Sequence, residues 1–338
     1  MLEKIFTYKN LYAAHQKTKK GKLFKEEVAS FEINASYEVG RLYEELSKGR
    51  YRLSPYRSFY IYEPKPRKVD ATSYRDRVVQ ACLVDNYLRP LFERRLIYDN
   101  AACRERKGTD FARKRVREFL ASSYKKHGRD FYVLSFDVHH YFESIDHEIL
   151  KEKLRKAVKE EDVLSFLFRI IDSYSSLPGK GLPLGNQTSQ WFALLYLDRL
   201  DRILKERFRL ACYSRYMDDG VAFSFDRPLL EEALKAIREE ASSLKLSFNT
   251  GKTSVYPIKQ GVTYLGFSYR FSSTGRVLSF MASGKRKRLV RHLRRSKLSS
   301  LALLSYENYL KKRSSHHRFL LSIRKLRKGR FLEERRLP

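Results

Sequence analysis

The chain has little cysteine, few acids for its many bases, and no long apolar run. Its three cysteines, Cys82, Cys103 and Cys212, are odd in number and lack metal-type spacing, which excludes a cysteine metal site and favours buried thiols in a reducing cytoplasm. No apolar run approaches the ~20 residues of a membrane-spanning helix, and no signal-peptide pattern opens the sequence. We therefore expect a cytoplasmic protein with no membrane partner.

The scarcity of acids has a further consequence. The 338 residues include 70 Lys and Arg but 39 Asp and Glu, which gives a formal net charge of +31. Such an excess goes far beyond what solubility requires and indicates a polyanionic partner. A chain of this length can also bury a large core, with two or three subdomains around one cleft.

Residues 271–338 have a strong excess of basic over acidic residues. Their acids are Glu307, Glu333 and Glu334, whereas basic residues occur in clusters with apolar residues between them at helical spacings. This pattern predicts a helical bundle with one basic face that binds the backbone of a duplex. A solvated basic face is the alternative.

Two adjacent aspartates stand out in the run Tyr216-Met217-Asp218-Asp219. Strand-like residues lie on both sides, so Asp218, Asp219 and Gly220 are suited to the tight turn of a β-hairpin. Such a turn would hold two carboxylates side by side, and a bound divalent cation relieves the repulsion between them. An ordinary Asp-Asp-Gly turn is the alternative.

A third carboxylate, Asp137, ends a segment typical of a buried strand, residues 131–136. Asp146 follows as a good N-cap for a helix that begins at His147. One carboxylate at a strand end, together with a distant hairpin pair, is what a two-metal phosphoryl-transfer site needs. Taken alone, Asp137 would be a strand-terminating turn residue.

Four motifs occur in order along the chain: Asp137-Val138-x-x-x-Phe142, Gly185-x-x-x-Ser189-Gln190, Tyr216-x-Asp218-Asp219 and Tyr264-Leu265-Gly266-Phe267. Together they resemble the palm motifs of reverse transcriptases. Upstream, residues 63–67 and 74–80 resemble the fingers motifs of the bacterial branch, which includes group II introns and retrons. The resemblance implies an α+β right-hand polymerase fold and RNA-templated DNA synthesis.

Further details resemble the reverse transcriptases of diversity-generating retroelements. Residues 184–190 lack the Gln-Gly and Ser-Pro of group II intron and retroviral enzymes, and Arg104, Lys107-Gly108-Thr109 and Ser305-Tyr306 fit the same group. This resemblance implies a structured template RNA, an RNA/cDNA duplex, deoxynucleoside triphosphates and a small basic oligomeric accessory protein as partners. Template adenines would then be copied unfaithfully to diversify a target gene.

The resemblance also assigns a metal site. Asp137 and Asp218 would bridge two magnesium ions, for which manganese is a substitute, and the backbone carbonyl of Val138 would be a further ligand. Asp219 would support the second ion. The three aspartates are the predicted catalytic residues, and they would act by positioning and by neutralising charge on the transferring phosphoryl group.

Predicted nucleotide contacts follow from the same resemblance. Lys65, Arg67 and Arg75 would hold the incoming triphosphate, with surface solvation or RNA-backbone contact as the alternative for the two arginines. Phe142 would lie under the sugar and exclude a 2′-hydroxyl. Because Tyr141 and Phe142 are adjacent, one of them must face inward, so a core position is the alternative for Phe142.

Leu184 and Gly185 would line the nascent base pair. Leu184 stands where many relatives carry Gln, and since Leu cannot hydrogen-bond the nucleotide, the pocket would discriminate bases less strictly. Simple packing is the alternative. The resemblance places a primer grip at Leu265-Gly266, where glycine allows close backbone approach. The predicted nucleic-acid contacts are Gln190, Tyr216, Met217, Leu265, Gly266, Arg291, Arg294 and Arg295.

We expect N-terminal helices and fingers at 1–130, a palm at 131–270 that interleaves with the fingers, and a basic helical thumb at 271–338. Residues 1–50 have helical periodicity, and residues 51–70 have the pattern of a hairpin. Further helices are predicted at 74–92, 110–126, 146–172, 188–208 and 228–244. The remaining predicted strands are 245–248, 252–257 and 261–270.

Two alternative functions stay open. Another bacterial reverse transcriptase, from a retron or an antiphage-defence system, would carry the same motifs, and neighbouring genes would distinguish it. An RNA-binding protein with an inactive polymerase fold would also account for the charge. The presence of all three aspartates argues against this second alternative.

Overall fold

The computed structural model describes residues 1–62, 67–295, 303–304, 306–308, 323–325 and 327–328. It gives the backbone but not the side chain of residues 67, 285, 290 and 292–295. Its named helices are α1 (Leu2–Ile5), α2 (Tyr8–Thr18), α3 (Glu26–Ile33), α4 (Ala35–Ser47), α5 (Tyr74–Leu83), α6 (Arg89–Glu93), α7 (Thr109–His127), α8 (Tyr141–Ser144), α9 (His147–Ala157), α10 (Glu161–Asp172), α11 (Gln187–Tyr196), α12 (Asp198–Arg202), α13 (Arg227–Ser243) and α14 (Ser283–Arg295).

Nine named strands form three antiparallel sheets. They are β1 (Arg57–Ile61), β2 (Arg67–Ala71), β3 (Tyr132–Asp137), β4 (Tyr213–Tyr216), β5 (Asp219–Ser224), β6 (Ser254–Pro257), β7 (Val262–Tyr264), β8 (Phe267–Phe271) and β9 (Val277–Met281). The sheets have the orders β1-β2, β4-β5-β3-β6 and β7-β8-β9. This mixture of helices and antiparallel sheets agrees with the predicted α+β class.

The central strand β3 is buried on both faces. Leu134 and Phe136 pack into a core shared with the helices, whereas Val133 belongs to a second core with α7 and the β7-β8-β9 sheet. Successive side chains of a strand point to opposite faces, so this alternation explains its run of apolar residues. Packing on both faces fixes the end of β3, where Asp137 lies.

Most predicted elements occur, with local differences in their bounds. The helix predicted over 146–172 is interrupted because Val158 is extended, with φ −109° and ψ 132°. Asp146 caps α9 as predicted, since its carboxylate accepts hydrogen bonds from two backbone N–H groups, those of Glu148 and Ile149. The helix predicted over 188–208 consists of α11, α12 and a π-helical segment, Ile203–Arg207.

The predicted strands after α13 need correction. Residues 245–248 are not a strand: Lys245 has φ +54°, and Phe248 forms a single bridge with Val138. The segment 261–270 is a hairpin rather than one strand, because Leu265 and Gly266 have φ +47° and +77°. Two consecutive positive φ values are typical of the two-residue turns that join paired strands.

Two expectations from composition can be compared with the structure. Cys82 is buried, whereas Cys103 and Cys212 are half-buried, so the prediction of buried thiols is wrong for two of the three. Within the described ranges, no helix is long and apolar enough to cross a membrane.

Candidate active site

Three aspartates meet where β3 and β5 lie side by side. Asp137 ends β3, and its Cα partner across the antiparallel pair is Asp219, the first residue of β5. Asp218 lies immediately before it, and the Asp218 carbonyl accepts a hydrogen bond from the N–H of Val138 at 3.2 Å. The fold therefore brings together carboxylates that belong to two distant motifs.

The turn that carries the aspartate pair is shifted by one residue from the prediction. Tyr216 pairs with Asp219, so Met217 and Asp218 form the loop, with Met217 at φ +56°. Gly220, which the sequence placed in the turn, lies inside β5 under the ring of Phe136. A Cβ atom at Gly220 would lie 2.1 Å from a ring atom, so this glycine is required by packing.

A buried ion pair fixes the turn that carries the two aspartates. Arg215 has no solvent exposure, and its Nε and Nη2 each donate to Asp201 at 2.7 Å. Its remaining nitrogen, Nη1, donates to the carbonyl of Met217 at 2.7 Å. The hydroxyl of Tyr213 also donates to Asp201, at 2.7 Å. Because the guanidinium is planar and forked, one side chain can fix both the carboxylate and the turn carbonyl.

Burial and like charge both act on the aspartates. Burial raises the pKa of Asp219 to about 7, with further contributions from the charges of Asp137 and Asp218. The pKa of Asp218 is also raised, first by burial and then by Asp137. The site thus disfavours three ionised carboxylates unless a cation is near.

One cation already contacts the site. The Nζ of Lys252 lies 2.8 Å from Oδ2 of Asp137, an aspartate whose side chain is 18% exposed. In this arrangement no three His, Cys, Asp or Glu side chains within the described residues are placed to hold a metal ion. The chemistry of the site nevertheless fits divalent ions, because carboxylate oxygens are the ligands of hard cations and a cation relieves the repulsion.

The turn between β7 and β8 borders Asp219. The backbone N–H of Leu265 lowers the pKa of the Asp219 carboxyl, against the larger effect of burial. Arg113 on α7 donates to the carbonyl of Leu265 at 2.8 Å, and its guanidinium lies 4.6 Å from the ring centre of Phe267. The predicted primer-grip motif therefore lies near one of the three aspartates.

Comparison with known proteins agrees with this geometry. Residues 63–269, more than half of the chain, match the family described as reverse transcriptase (RNA-dependent DNA polymerase). The chain belongs to the reverse transcriptase family. It is 24% identical over 273 residues to protein YkfC of Escherichia coli (strain K12), covering 68% of this chain and 70% of that protein.

A solved structure of telomerase from Candida albicans, in complex with the TWJ fragment of telomeric RNA, has a similar fold. The TM-score is 0.52 at 12% identity, and the match covers 85% of this chain and 62% of the telomerase chain. The predicted polymerase fold is confirmed. This reverse transcriptase is an RNA-directed DNA polymerase that takes an RNA template and nucleotide substrates, and its family uses divalent metal ions.

Two adjacent aromatic rings of the reverse transcriptase lie beside Asp137 in sequence and are buried to different degrees. Tyr141 is buried, and its hydroxyl donates to the carbonyl of Ala193. Phe142 is half-buried and packs partly against the core. Tyr141 therefore takes the inward position, which leaves Phe142 as the more accessible of the two rings.

Leu184 and Gly185 line a groove of about 570 Å³ that reaches the β1-β2 hairpin. Its charged walls are the cations Lys25, Arg57 and Arg77 and the acids Glu26 and Glu27, of which Glu27 pairs with Arg77 at 2.9 Å. The predicted triphosphate ligand Arg75 points elsewhere, because it pairs with Glu45 and lies 5.4 Å from the ring centre of Tyr51.

The predicted nucleic-acid contacts differ in how far they are buried. Gln190 accepts a hydrogen bond from the thiol of Cys103 at 3.2 Å, and Tyr216 is half-buried. Arg291 is exposed on α14. Lys65 and the side chains of three arginines lie outside the described residues: Arg67, Arg294 and Arg295.

The reverse transcriptase has two site residues that sequence reasoning missed, Arg215 and Lys252. Arg215 directly precedes the Tyr-Met-Asp-Asp run, but nothing in a local pattern distinguishes a buried arginine from an exposed one. Lys252 follows Asn249, whose side chain accepts from the N–H of Gly251 at 3.1 Å. Asn-x-Gly is a recognisable turn signal, yet the pairing of β6 with β3 that places Lys252 beside Asp137 is tertiary.

Proposed function

We propose that this reverse transcriptase copies a structured template RNA into cDNA as the error-prone polymerase of a diversity-generating retroelement. The observation that supports a catalytic role most directly is the convergence of Asp137, Asp218 and Asp219 at the ends of two buried, adjacent strands. Asp137 and Asp218 would hold two magnesium ions together with the carbonyl of Val138, and Asp219 would support the second ion.

The fixed parts of the site suit an in-line displacement. Two bound divalent ions stabilise the attacking and leaving oxygens of such a reaction. The contribution of the chain is to place the carboxylates rigidly, through the β3-β5 pairing and the Arg215 bond to the turn. Preorganised charge of this kind needs no rearrangement during the reaction, which is why it lowers the barrier.

The nucleotide enters between the hairpin β1-β2 and the palm. Lys65, Arg67 and Arg75 are the proposed triphosphate ligands, and Phe142 is the proposed barrier to a 2′-hydroxyl. Because Arg75 is paired with Glu45, its participation requires that this pair open. The groove beside Leu184 and Gly185 supports their proposed contact with the nascent base pair.

The duplex is proposed to lie between the Leu265-Gly266 turn and the basic helical part of the predicted thumb, 271–338, which begins with α14 at Ser283 because residues 277–281 form β9. The effect of the Leu265 N–H on the pKa of Asp219 supports a primer grip at this turn. Gln190, Tyr216 and Met217 complete the proposed nucleic-acid contacts, with Arg291, Arg294 and Arg295 on α14. A small basic oligomeric protein is proposed as the accessory partner, in the cytoplasm.

The catalytic assignment is tested by Asp218→Asn. The variant should lose more than about 100-fold of magnesium-dependent primer extension, since loss of groups that merely support metal ligands already costs ~10- to 100-fold. RNA affinity should stay near that of the parent. The matched control is Asp172→Asn, which changes a half-exposed carboxylate on α10. Substantial activity in purified Asp218→Asn would contradict the two-metal assignment.

The retroelement assignment needs a different measurement. Sequencing of cDNA made on the native flanking RNA should show misincorporation concentrated opposite template adenines. An even, low error rate across all template bases would favour a retron or antiphage-defence reverse transcriptase instead. Addition of the accessory protein separates an error spectrum that belongs to the enzyme from one that belongs to the complex.

A further inference from the structure

A second basic surface lies at the end of the palm sheet opposite the aspartates. Asp137 ends β3, whereas the N–H of Ile258 donates to the carbonyl of Phe131, just before β3 begins. A strand rises about 3.3 Å per residue, so β3 separates its two ends by roughly 17 Å. We call the patch there the palm-base surface, defined by Lys114, Arg117, Arg129, Lys259, Arg270 and Arg276.

The palm-base surface consists of two grooves on either side of the β8-β9 turn. Lys114, Arg117 and Arg276 line a groove of about 570 Å³ between α7 and this turn. Arg129, Lys259 and Arg270 line a second groove of about 340 Å³. The turn itself is held between them, because Arg129 donates to the carbonyl of Ser272 at 2.7 Å.

The turn is also fixed by packing from α7. Tyr124 lies with its ring centre 4.7 Å from that of Phe271. Gly275 has φ +81°, and a Cβ there would lie 2.1 Å from an atom of the Tyr124 ring. The β8-β9 turn between the two grooves is therefore well packed against α7.

The cations of this surface exceed the acids around it. All six are exposed. Of the acids nearby, Glu118 pairs with Arg115 at 2.6 Å and with Lys114 at 3.8 Å, and Asp130 pairs with Lys259 at 2.9 Å. Across the described ranges, no carboxylate forms an ion pair with Arg117, Arg270 or Arg276. Unpaired guanidinium groups offer forked donors that match phosphate oxygens.

A pair of aromatic rings lies beside these cations at the C-terminal end of α7, one exposed and one half-buried. The rings of His127 and Phe225 are stacked, with centres 4.8 Å apart and planes at 22°. The side chain of Phe225 is 63% exposed, and Lys125 and Lys126 on the same helix end are exposed as well. Flat rings next to basic side chains are typical of surfaces on which unpaired RNA bases stack.

We propose that the palm-base surface binds the phosphate backbone of a folded part of the template RNA, outside the cleft in which copying occurs. The proposal rests on the proposed function, because it takes the template RNA as its ligand. The combination of positive charge and stacked rings favours RNA over an acidic protein. An acidic protein would account for the charge but not for the rings. A basic accessory protein would be repelled.

The test uses the full chain with its cleft blocked by a saturating short RNA/DNA primer-template. A fluorescent RNA hairpin with an unpaired loop is then titrated at several salt concentrations. Two variants, Lys114→Glu/Arg117→Glu and Lys259→Glu/Arg270→Glu, each remove charge from one groove. The matched control is Lys235→Glu/Arg238→Glu on α13, where exposed cations alternate with Glu231, Glu232 and Glu239.

Each groove variant should bind the hairpin at least tenfold more weakly, and its log–log salt dependence should be shallower by about 2, one unit for each lost phosphate contact. Extension of the short primer-template should stay within twofold of the parent. Phe225→Ala should weaken binding of the looped hairpin about fivefold or more, but not binding of a blunt duplex.

Several results would overturn the proposal. These are a parent that does not bind the hairpin once the cleft is blocked, groove variants with parental affinity and salt slope, and an equal loss in the α13 control. An equal loss of primer extension would show that the surface acts through the cleft or the fold, which also overturns it. Failure of the parent to extend any primer would instead refute the proposed function, and hairpin binding would be unaffected by that result.

Discussion

The hairpins β1-β2 and β4-β5 are built from similar residue types but have opposite relations to the core. Every residue of β1 is exposed, including Arg57, Phe59 and Tyr60. In β4, by contrast, Tyr213 and Arg215 have no exposure at all. The difference lies in what surrounds each hairpin. Among the described residues, β5 pairs with β3 and β4 packs against α7, whereas β1 pairs with β2 alone.

This comparison separates two requirements of a polymerase. Carboxylates proposed to hold ions must keep their positions to within about 0.5 Å, and their hairpin is fixed by strand pairing and a buried ion pair. A hairpin proposed to meet a changing series of nucleotides must adapt, and exposed hairpins with few buried contacts open at low cost in free energy. Substitutions in each hairpin distinguish these two requirements.

Arg215→Met should have the largest effect on the buried hairpin. Loss of one partner leaves Asp201 buried and unpaired, which costs about 3–5 kcal/mol of unfolding free energy. Urea unfolding of parent and variant measures this cost. Primer extension should fall as well, because the Met217 carbonyl loses the donor that holds it.

A double variant separates stability from positioning. Arg215→Met/Asp201→Leu replaces both partners with apolar side chains, which can restore much of the stability. Primer extension should remain low, because no donor to Met217 has been restored. Full recovery of both properties would show that Arg215 serves the core and does not position the turn.

Phe142→Ala should produce the next largest effect, on sugar selection. Removal of the half-buried ring opens space at the proposed sugar site, and discrimination against ribonucleotides should fall by about 10- to 100-fold, the range of a steric contact in an apolar pocket. Incorporation of single ribonucleotides and deoxynucleotides measures it. Tyr141→Phe is the control, since it keeps the ring and removes only the bond to Ala193. Unchanged selectivity in Phe142→Ala would assign the barrier to another residue.

Tyr60→Ala should affect binding but hardly affect folding. The side chain is 60% exposed and stacks on Tyr62 with ring centres 6.4 Å apart. Unfolding free energy should change by less than about 0.5 kcal/mol, whereas affinity for a single-stranded template overhang should fall about fivefold. Tyr43→Ala on α4, which removes another exposed ring, is the control. A destabilised Tyr60→Ala protein would contradict the contrast between the two hairpins.

Leu184→Gln should have the smallest effect on rate and stability and a visible effect on fidelity. Gln adds a donor and an acceptor at the groove, and hydrogen bonds discriminate between bases more strongly than shape does. Deep sequencing of cDNA from parent and variant on one RNA should show fewer errors in the variant, most clearly opposite adenine. Identical spectra from two active enzymes would make Leu184 a packing residue.

The sequence predicted the elements that have a local cause. Asp137 ends a run of β-formers, Asp146 caps a helix through its own side chain, and the order of the motifs along the chain indicated a polymerase fold. The hairpin turn was misplaced by one residue because Asp-Gly is a strong local turn signal. The ring of Phe136, far away in sequence, imposed the glycine for a different reason.

The partners of the site could not be predicted because they depend on pairing between distant segments. Lys252 reaches Asp137 because β6 lies beside β3. Arg215 is buried because Asp201, fourteen positions earlier, turns inward from α12 to meet it. For the same reason, the position of Arg75 could not be predicted. Its ion pair with Glu45 joins α5 to α4, and no local sequence pattern shows that these helices lie side by side.

Gly220 has a consequence for how this enzyme can vary. No side chain larger than hydrogen fits beneath Phe136, although Gly220 carries no group that could take part in the reaction. A saturation-mutagenesis screen scored by cDNA yield should deplete substitutions at Gly220 as strongly as those at the neighbouring aspartates. Compensating changes should arise at position 136, where a smaller side chain would vacate the space. Such paired tolerance would distinguish a residue kept for its shape from residues kept for their chemistry.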